Sequence, residues 1–360
     1  MHHKKKIGLL TFHRALNYGA VLQCWALKRA CEALGCEVET IDYNPFGHYE
    51  AKWAIGRRPY VAYKYLLQLY RFGKFVDKWL NPTIHTESHE WIKQNPPKDD
   101  IYIVGSDQVW ANDVVGELLD SYLLDFAPKY ARRIAYAAST AGNPLKLTEY
   151  QADELRKFAA ISMREKQSVP DIQSHVEITV EDVCDPTMLL IERDYFDIER
   201  KPLCLPKHYV AYFNLTGDSF CKESAKFIGR TLGLPVVSVV GKFNIWAKRN
   251  YPAPTPEQWL YILHHADYVC TNSFHGVALS IVFRRPFVYC EAQVKKHSNR
   301  IGRIQNILEQ TKQNNRYATD MEDVRIILNN RDMLYDEEAI EQYRNRSLKW
   351  LKNAIDNETK

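Results

Sequence analysis

Tyr268-Val269-Cys270-Thr271-Asn272-Ser273-Phe274-His275-Gly276-Val277-Ala278-Leu279-Ser280-Ile281-Val282-Phe283 is the stretch that decides the fold. A short apolar run, Tyr268 to Cys270, reads as a buried strand, and the longer run from Val277 to Phe283 reads as the opening turns of a buried helix. The polar hexad Thr271 to Gly276 therefore lies at a strand-to-helix turn. In open α/β sheets such turns gather ligands, because strand carboxyl ends and helix amino ends converge there. Asn272, Ser273 and His275 offer an amide, a hydroxyl and an imidazole at one place, and Gly276 lets a ligand approach the backbone. The competing account is a structural histidine beside a helix N-cap.

Working outward, the same strand-and-helix rhythm recurs on both sides. Ile7 to Phe12 reads as a strand, Ala20 to Leu34 as a helix closed by Gly35, and Val38 to Tyr43 as a second strand. The loop before that helix holds Asn17, Tyr18 and Gly19, whose backbone N–H groups favour an anion. Ile101 to Val104 is a strand followed by Gly105, Ser106, Asp107, Gln108, Val109 and Trp110. Arg133 to Ala138 is another, followed by Ser139, and Ile161 to Met163 leads to Arg164. Six such segments in the first half argue for a doubly wound lobe. The prolines of Arg200 to Pro206 read as a linker, after which the alternation restarts at Tyr209. The expected organisation is a Rossmann-like domain over 1–200 with an aromatic and basic insertion near 46–98. A second Rossmann-like domain follows over 201–330, and a helix over 331–360 packs back on the first.

Bulk composition narrows the function classes. At 360 residues the chain suits two domains, and its 46% hydrophobic and 26% charged residues are those of a folded globular enzyme. A formal charge of +4 suits small anions and not nucleic acid. The eight cysteines include no C-x-x-C pair and read as buried thiols. His264-His265 on a helix would point apart, a poor chelate, so no metal site is expected. With no signal-like core and no apolar run near 18 residues, the expected location is cytoplasmic. The insertion, with Lys52, Trp53, Arg57, Arg58, Tyr63, Lys64, Tyr70, Lys74 and Trp79 among its residues, reads as a helix packed on the first lobe. Its sharper reading is a surface for the inner face of a membrane or for a glycan.

Taken in order, five motifs carry a resemblance. Phe12-His13-Arg14 with Asn17-Tyr18-Gly19-Ala20-Val21-Leu22-Gln23, then Gly105-Ser106-Asp107-Gln108-Val109-Trp110, Cys184-Asp185-Pro186-Thr187 and Asn272-Ser273-Phe274-His275-Gly276, following Lys6-Ile7-Gly8, resemble the polysaccharide pyruvyl transferase family. The likeness implies an α/β fold with two Rossmann-like domains facing across a cleft, similar to GT-B glycosyltransferases. It implies transfer of a pyruvyl group from phosphoenolpyruvate, the donor substrate, to two hydroxyls of a sugar or lipid-linked oligosaccharide, with no cofactor. His275 is the residue carried over as catalytic.

Under that reading, His275 donates a proton, since an imidazole is the side chain suited to acid–base work near neutral pH. Arg164 and Arg300 are candidates for the donor's phosphate or carboxylate, guanidinium being a planar partner for either. Asn272 and Ser273 fix the donor with neutral hydrogen bonds, and Asn17 to Gly19, Ser106 and Ser139 line the same strand ends. Asp107 deprotonates a sugar hydroxyl, or else caps a helix; Arg164 has a structural ion pair as its alternative. A glycosyltransferase using a nucleotide sugar, and a non-catalytic glycan-binding protein, are the competing functions.

Overall fold

The computed structural model describes residues 4–45, 59–239, 243–291, 301–330 and 334–356. The chain forms two compact units, one made of Met1–Leu189 with Tyr343–Lys360 and the other of Leu190–Gln342. The expected linker, Arg200 to Pro206, falls within the second of these.

In the first unit, six parallel strands form one sheet: β1 (Lys6–Leu10), β2 (Glu37–Thr40), β3 (Ile101–Val104), β4 (Arg132–Ala138), β5 (Ala160–Met163) and β6 (Val180–Asp182). Their order is β2-β1-β3-β4-β5-β6, so the winding direction reverses between β1 and β3. Strands buried on both faces read as unbroken apolar runs, which is why Ile101–Val104 is buried throughout. Helix α1 (Tyr18–Ala33) starts two residues earlier than its apolar pattern suggests, because Asn17 is its N-cap and accepts the Gly19 N–H at 2.9 Å.

The basic, aromatic insertion contains α2 (Pro59–Trp79), which buries only Phe72, Phe75 and Val76. Tyr60, Tyr63, Leu66 and Tyr70 are exposed on it, and the ammonium of Lys74 lies 4.8 Å from the Tyr70 ring centre. Lys52, Trp53, Arg57 and Arg58 lie outside the described residues. Among the described residues, no helix is long and apolar enough to cross a membrane.

The carboxyl-terminal helix, Glu337–Asp356, joins the first unit from Tyr343 onward. Ser347 accepts the Cys184 N–H at 2.9 Å, the Tyr343 hydroxyl donates to the Val183 carbonyl at 3.2 Å, and Trp350 packs against Tyr136.

The second unit carries its own parallel sheet: β7 (Val210–Phe213), β8 (Val236–Ser238), β9 (Arg249–Asn250), β10 (Tyr268–Thr271), β11 (Phe287–Cys290) and β12 (Tyr317–Ala318). Its order, β12-β11-β10-β7-β8-β9, reverses between β7 and β10. This is the doubly wound dinucleotide-type arrangement, in which the loops after the two central strands diverge and leave a crevice. Helices α4 (Ser219–Leu232), α5 (Pro256–His264) and α6 (Phe274–Val282) pack on it, while α3 (Glu149–Arg156) belongs to the first unit. Thr255 and Gln258 form a capping box around Pro256, which fixes where α5 begins.

One buried carboxyl lies away from the ligand edge. Asp99, 2% exposed just ahead of β3, is pushed up from 3.8 to about 7, first by burial and then by Glu39 and Asp100. A carboxyl raised on folding holds its proton in the native state, so its contribution is intact below about pH 4 and lost as pH rises to about 7. Asp99→Asn removes that loss. The variant should be more stable than the parent by about 2 kcal/mol at pH 8 and should lose the advantage at pH 4. Each pKa unit is worth ~1.4 kcal/mol, reduced here because Asn leaves an amide in the same dry position. Urea melts at the two pH values decide it, and an equal effect at both would remove the titrating carboxyl as cause.

Candidate functional site

Each sheet reverses at the strand ends where the sequence places its polar motifs. In the second unit, β7 delivers Asn214 and β10 delivers Asn272 to neighbouring loops. Asn272 spends its amide on them: its Oδ1 accepts the Leu215 N–H at 2.7 Å, and its Nδ2 donates to Asn214 Oδ1 at 2.8 Å and Thr216 Oγ1 at 2.6 Å. Asn214 continues the chain of bonds to the Tyr212 hydroxyl and the Asp218 carbonyl. Asn272 is therefore a strut that sets the spacing of the two loops, a role that satisfied buried amides fill well.

Ser273 caps α6, its hydroxyl accepting the Gly276 N–H at 3.4 Å. The Thr271 hydroxyl donates to the Phe213 carbonyl at 2.8 Å and accepts the Ser273 N–H at 3.1 Å. A Cβ on Gly276 would stand 2.6 Å from that hydroxyl. Glycine is needed there so that α6 can settle on Thr271, which is a packing reason for the residue. His275 occupies the first turn of α6 and is 7% exposed, edge-on to Phe274 with ring centres 5.2 Å apart. The imidazole therefore sits at a helix amino end, on the reversal edge of its sheet.

In the first unit, the loops after β1 and β3 enclose a buried polar network. The Ser106 N–H donates to Gln23 Oε1 at 3.0 Å, and the Ser106 hydroxyl reaches the Ala137 carbonyl at 3.0 Å and Asp185 Oδ2 at 3.4 Å. Thr11 donates to the Ser106 carbonyl and accepts from Gln23. Ser139 donates to Glu165 Oε1 at 2.6 Å. At the centre is Arg164, 2% exposed, with Asp185 at 3.2 Å, Asp107 at 3.3 Å and Glu165 at 3.9 Å. Burial alone would lower its pKa; the attraction of Asp107, then Asp185 and Glu165, outweighs this and holds it above the ordinary value.

One cation among three carboxylates is committed to them, so the ion-pair reading of Arg164 is the one the geometry gives. Asp107 has φ +77°, a region that a non-glycine residue rarely occupies, and its Oδ1 also accepts the Gln108 N–H at 2.9 Å. Gly105 sits just before with φ +110°, where a Cβ would come 2.3 Å from the Tyr136 carbonyl. Asn17 is exposed at the start of α1, whereas Tyr18 and Gly19 are buried, Tyr18 against Phe72 with ring centres 5.0 Å apart. Arg300 lies outside the described residues.

Gln23 and Asp185 stand in motifs that carry the family likeness but have no role assigned there, while Glu165, next to Arg164, and Asp42, two residues past β2, carry no motif of their own. Asp42 is 2% exposed and receives Arg14 through two bonds of 2.6 and 2.5 Å, His13 at 3.0 Å and His85 at 3.1 Å. Burial pushes its carboxyl up, yet the hydrogen bonds from Arg14, His13 and His85 carry it well below the ordinary range. Beside this cluster is a cavity of about 620 Å³, lined by Phe12, Arg14, Leu16, Lys64, Tyr65 and Tyr122 among others. Burial pushes the Lys64 amine down.

Residues 17–292 match the model of the polysaccharide pyruvyl transferase family. The chain belongs to this family. It is accordingly a transferase, and the match takes in the motif edges of both sheets described above. No curated protein matches the chain. Among solved structures, UGT89C1 of Arabidopsis thaliana complexed with UDP-L-rhamnose aligns over 98% of this chain and 99% of that one at 9% identity, with a TM-score of 0.50. SsfS6, a glycosyltransferase of Streptomyces sp. SF2575, aligns over 96% and 95% at 13% identity with a TM-score of 0.42. At such identities the first likeness shows the fold alone, that of GT-B glycosyltransferases, and the second adds no argument.

The cysteines behave as expected from sequence: all eight are free thiols, and only Cys204 is exposed. The histidine pair does not. His265 is the C-cap of α5 with φ −100° and ψ 13°, so its ring swings back to within 4.5 Å of the His264 ring, and both bond to Glu199. The helical spacing that would have held the two apart ends one residue too soon.

Proposed function

We propose that this family member moves a pyruvyl group from phosphoenolpyruvate to two hydroxyls of one sugar, with His275 as the proton donor. The observation that carries the reading is the position of His275, in the first turn of α6 at the reversal edge of a doubly wound sheet, within a chain whose family bears the name polysaccharide pyruvyl transferase.

The atoms balance in two stages. A proton from His275 adds to the methylene carbon of the donor, making it a methyl group, while C2 gains cationic character. A sugar hydroxyl forms a C–O bond to C2 and gives up its proton to a base. The bond from C2 to the phosphate oxygen then breaks, and a second hydroxyl of the same sugar takes its place and closes the ketal. Of the two hydroxyl protons, one repays the proton given to the methyl carbon and the other leaves with inorganic phosphate. Backbone N–H groups at the start of α6 and the Ser273 hydroxyl suit an anionic donor. The cavity of the first unit is lined by Phe12 and Tyr65, whose rings can stack on a sugar. The exposed Tyr60, Tyr63, Leu66 and Tyr70 of α2 suit a lipid-linked acceptor at a membrane surface.

The test is incubation of the full chain with phosphoenolpyruvate and a panel of saccharides bearing 1,2- or 1,3-diols. The expected result is acceptor-dependent release of phosphate, with one acid-labile pyruvate gained by the acceptor for each phosphate. Consumption of a nucleotide sugar with phosphoenolpyruvate left intact would replace this reading by a glycosyltransferase.

A further inference from the structure

The turn that ends α5 brings together groups that the pyruvyl transfer does not use. Glu199 lies between two adjacent imidazoles: its Oε2 is 2.7 Å from His264 Nδ1 and its Oε1 is 3.0 Å from His265 Nε2. All three residues offer donor atoms within 4.8 Å of one another. The far nitrogen of His264, Nε2, is 2.7 Å from Glu192 Oε1. The His264 ring stacks on Phe283, with ring centres 4.2 Å apart, and on Phe196 at 5.7 Å, while His265 stacks on Tyr261 at 4.0 Å.

We propose that Glu199, His264 and His265 form a binding site for a divalent cation of the zinc class. Two imidazole nitrogens and a carboxylate are a zinc donor set, and the site keeps a side open, since His265 is 40% exposed. The bond from His264 Nε2 to Glu192 is the arrangement that orients a metal-bound imidazole and raises its basicity through the nitrogen that does not ligate. Stacking on Phe283 and Phe196 fixes the ring in that orientation before any ion arrives. Charge agrees with this: Glu192 and Glu199 face one cation, Arg285, at 3.6 Å from Glu192, so with neutral imidazoles the cluster is negative.

The ion would bind at Nδ1, which faces Glu199, and leave Nε2 to its bond with Glu192. The buried thiols Cys221, Cys270 and Cys290 are grouped as closely, but each is fully enclosed in the core of the second unit and offers no route of entry.

The chelator-treated full chain is titrated with Co²⁺, followed by absorbance in the visible, and the bound Co²⁺ is then displaced with Zn²⁺. The expected result is saturation at one ion per chain and a rise in Tm on adding Zn²⁺. His265→Ala and Glu199→Gln should each weaken binding by more than roughly tenfold, and Glu192→Gln by roughly 10–100-fold. His208→Ala, which alters an exposed histidine paired with Asp267, should leave the affinity unchanged. Melting of the metal-free variants at the parental temperature shows that the fold is kept. The proposal is overturned if the parent binds no ion saturably, if His265→Ala and Glu199→Gln retain parental affinity, or if His208→Ala weakens binding as much as they do.

Discussion

His275→Gln should lower kcat for acceptor-dependent phosphate release by roughly 10²–10⁴-fold while leaving the KM for phosphoenolpyruvate within about a factor of ten. The reason lies in when the imidazole acts. Protonation of the methylene carbon happens in the transition state, so the loss should fall on kcat and on kcat/KM alike, which is the signature of an interaction absent from the ground state. A residue that only held the donor would raise KM and spare kcat. Glutamine keeps a polar side chain of similar reach in the first turn of α6, where Ser273 and Thr271 already secure the backbone, so the variant should melt close to the parent. A stable variant that turns over within tenfold of the parent would remove His275 from the chemistry.

How much of this was legible beforehand depends on the range of the interactions involved. The strand and helix within Tyr268 to Phe283 follow from a change of hydrophobic period within a few residues, although the helix begins at Phe274, three residues ahead of its apolar run, because Ser273 caps it. The two-residue strands β9 and β12 carry no period at all; they exist because a neighbouring strand lends them a ladder. The roles of the motif residues divide in the same way. Asn17 and Ser273 cap helices through contacts two or three residues away, which sequence order suggests. Asn272 is a strut because β7 runs beside β10, and Arg164 is an ion-pair centre because Asp107 and Asp185 return to it from 57 and 21 residues away. Nothing in the local string announces either. The pairing of His264 with His265 has a smaller cause: α5 ends at its C-cap, and the changed backbone angles of His265 bring two rings together.

Arg164→Met is expected to cost about 3–5 kcal/mol of folding stability, a large share of the ~5–15 kcal/mol that holds a typical protein folded. The side chain is enclosed, and so are Asp185 and Glu165, with Asp107 13% exposed beside them. Removing the one cation leaves carboxylates facing one another in a medium that screens them poorly. Methionine fills the volume, so the loss measures charge and hydrogen bonding more than a cavity. Lysine should restore only part of it, because a single ammonium cannot reach Asp107, Asp185 and Glu165 with the fork that a guanidinium offers. Acid supplies the internal check. In Arg164→Met the unpaired carboxyls take up protons more readily when folded than when unfolded, so the gap between variant and parent should narrow as pH falls through the carboxylate range. Denaturant melts of parent, Arg164→Met and Arg164→Lys at neutral and acidic pH give the comparison. A gap under 1 kcal/mol at neutral pH would mean that Arg164 is not what stabilises these carboxylates, and would return its guanidinium to the pool of groups available to an anionic donor.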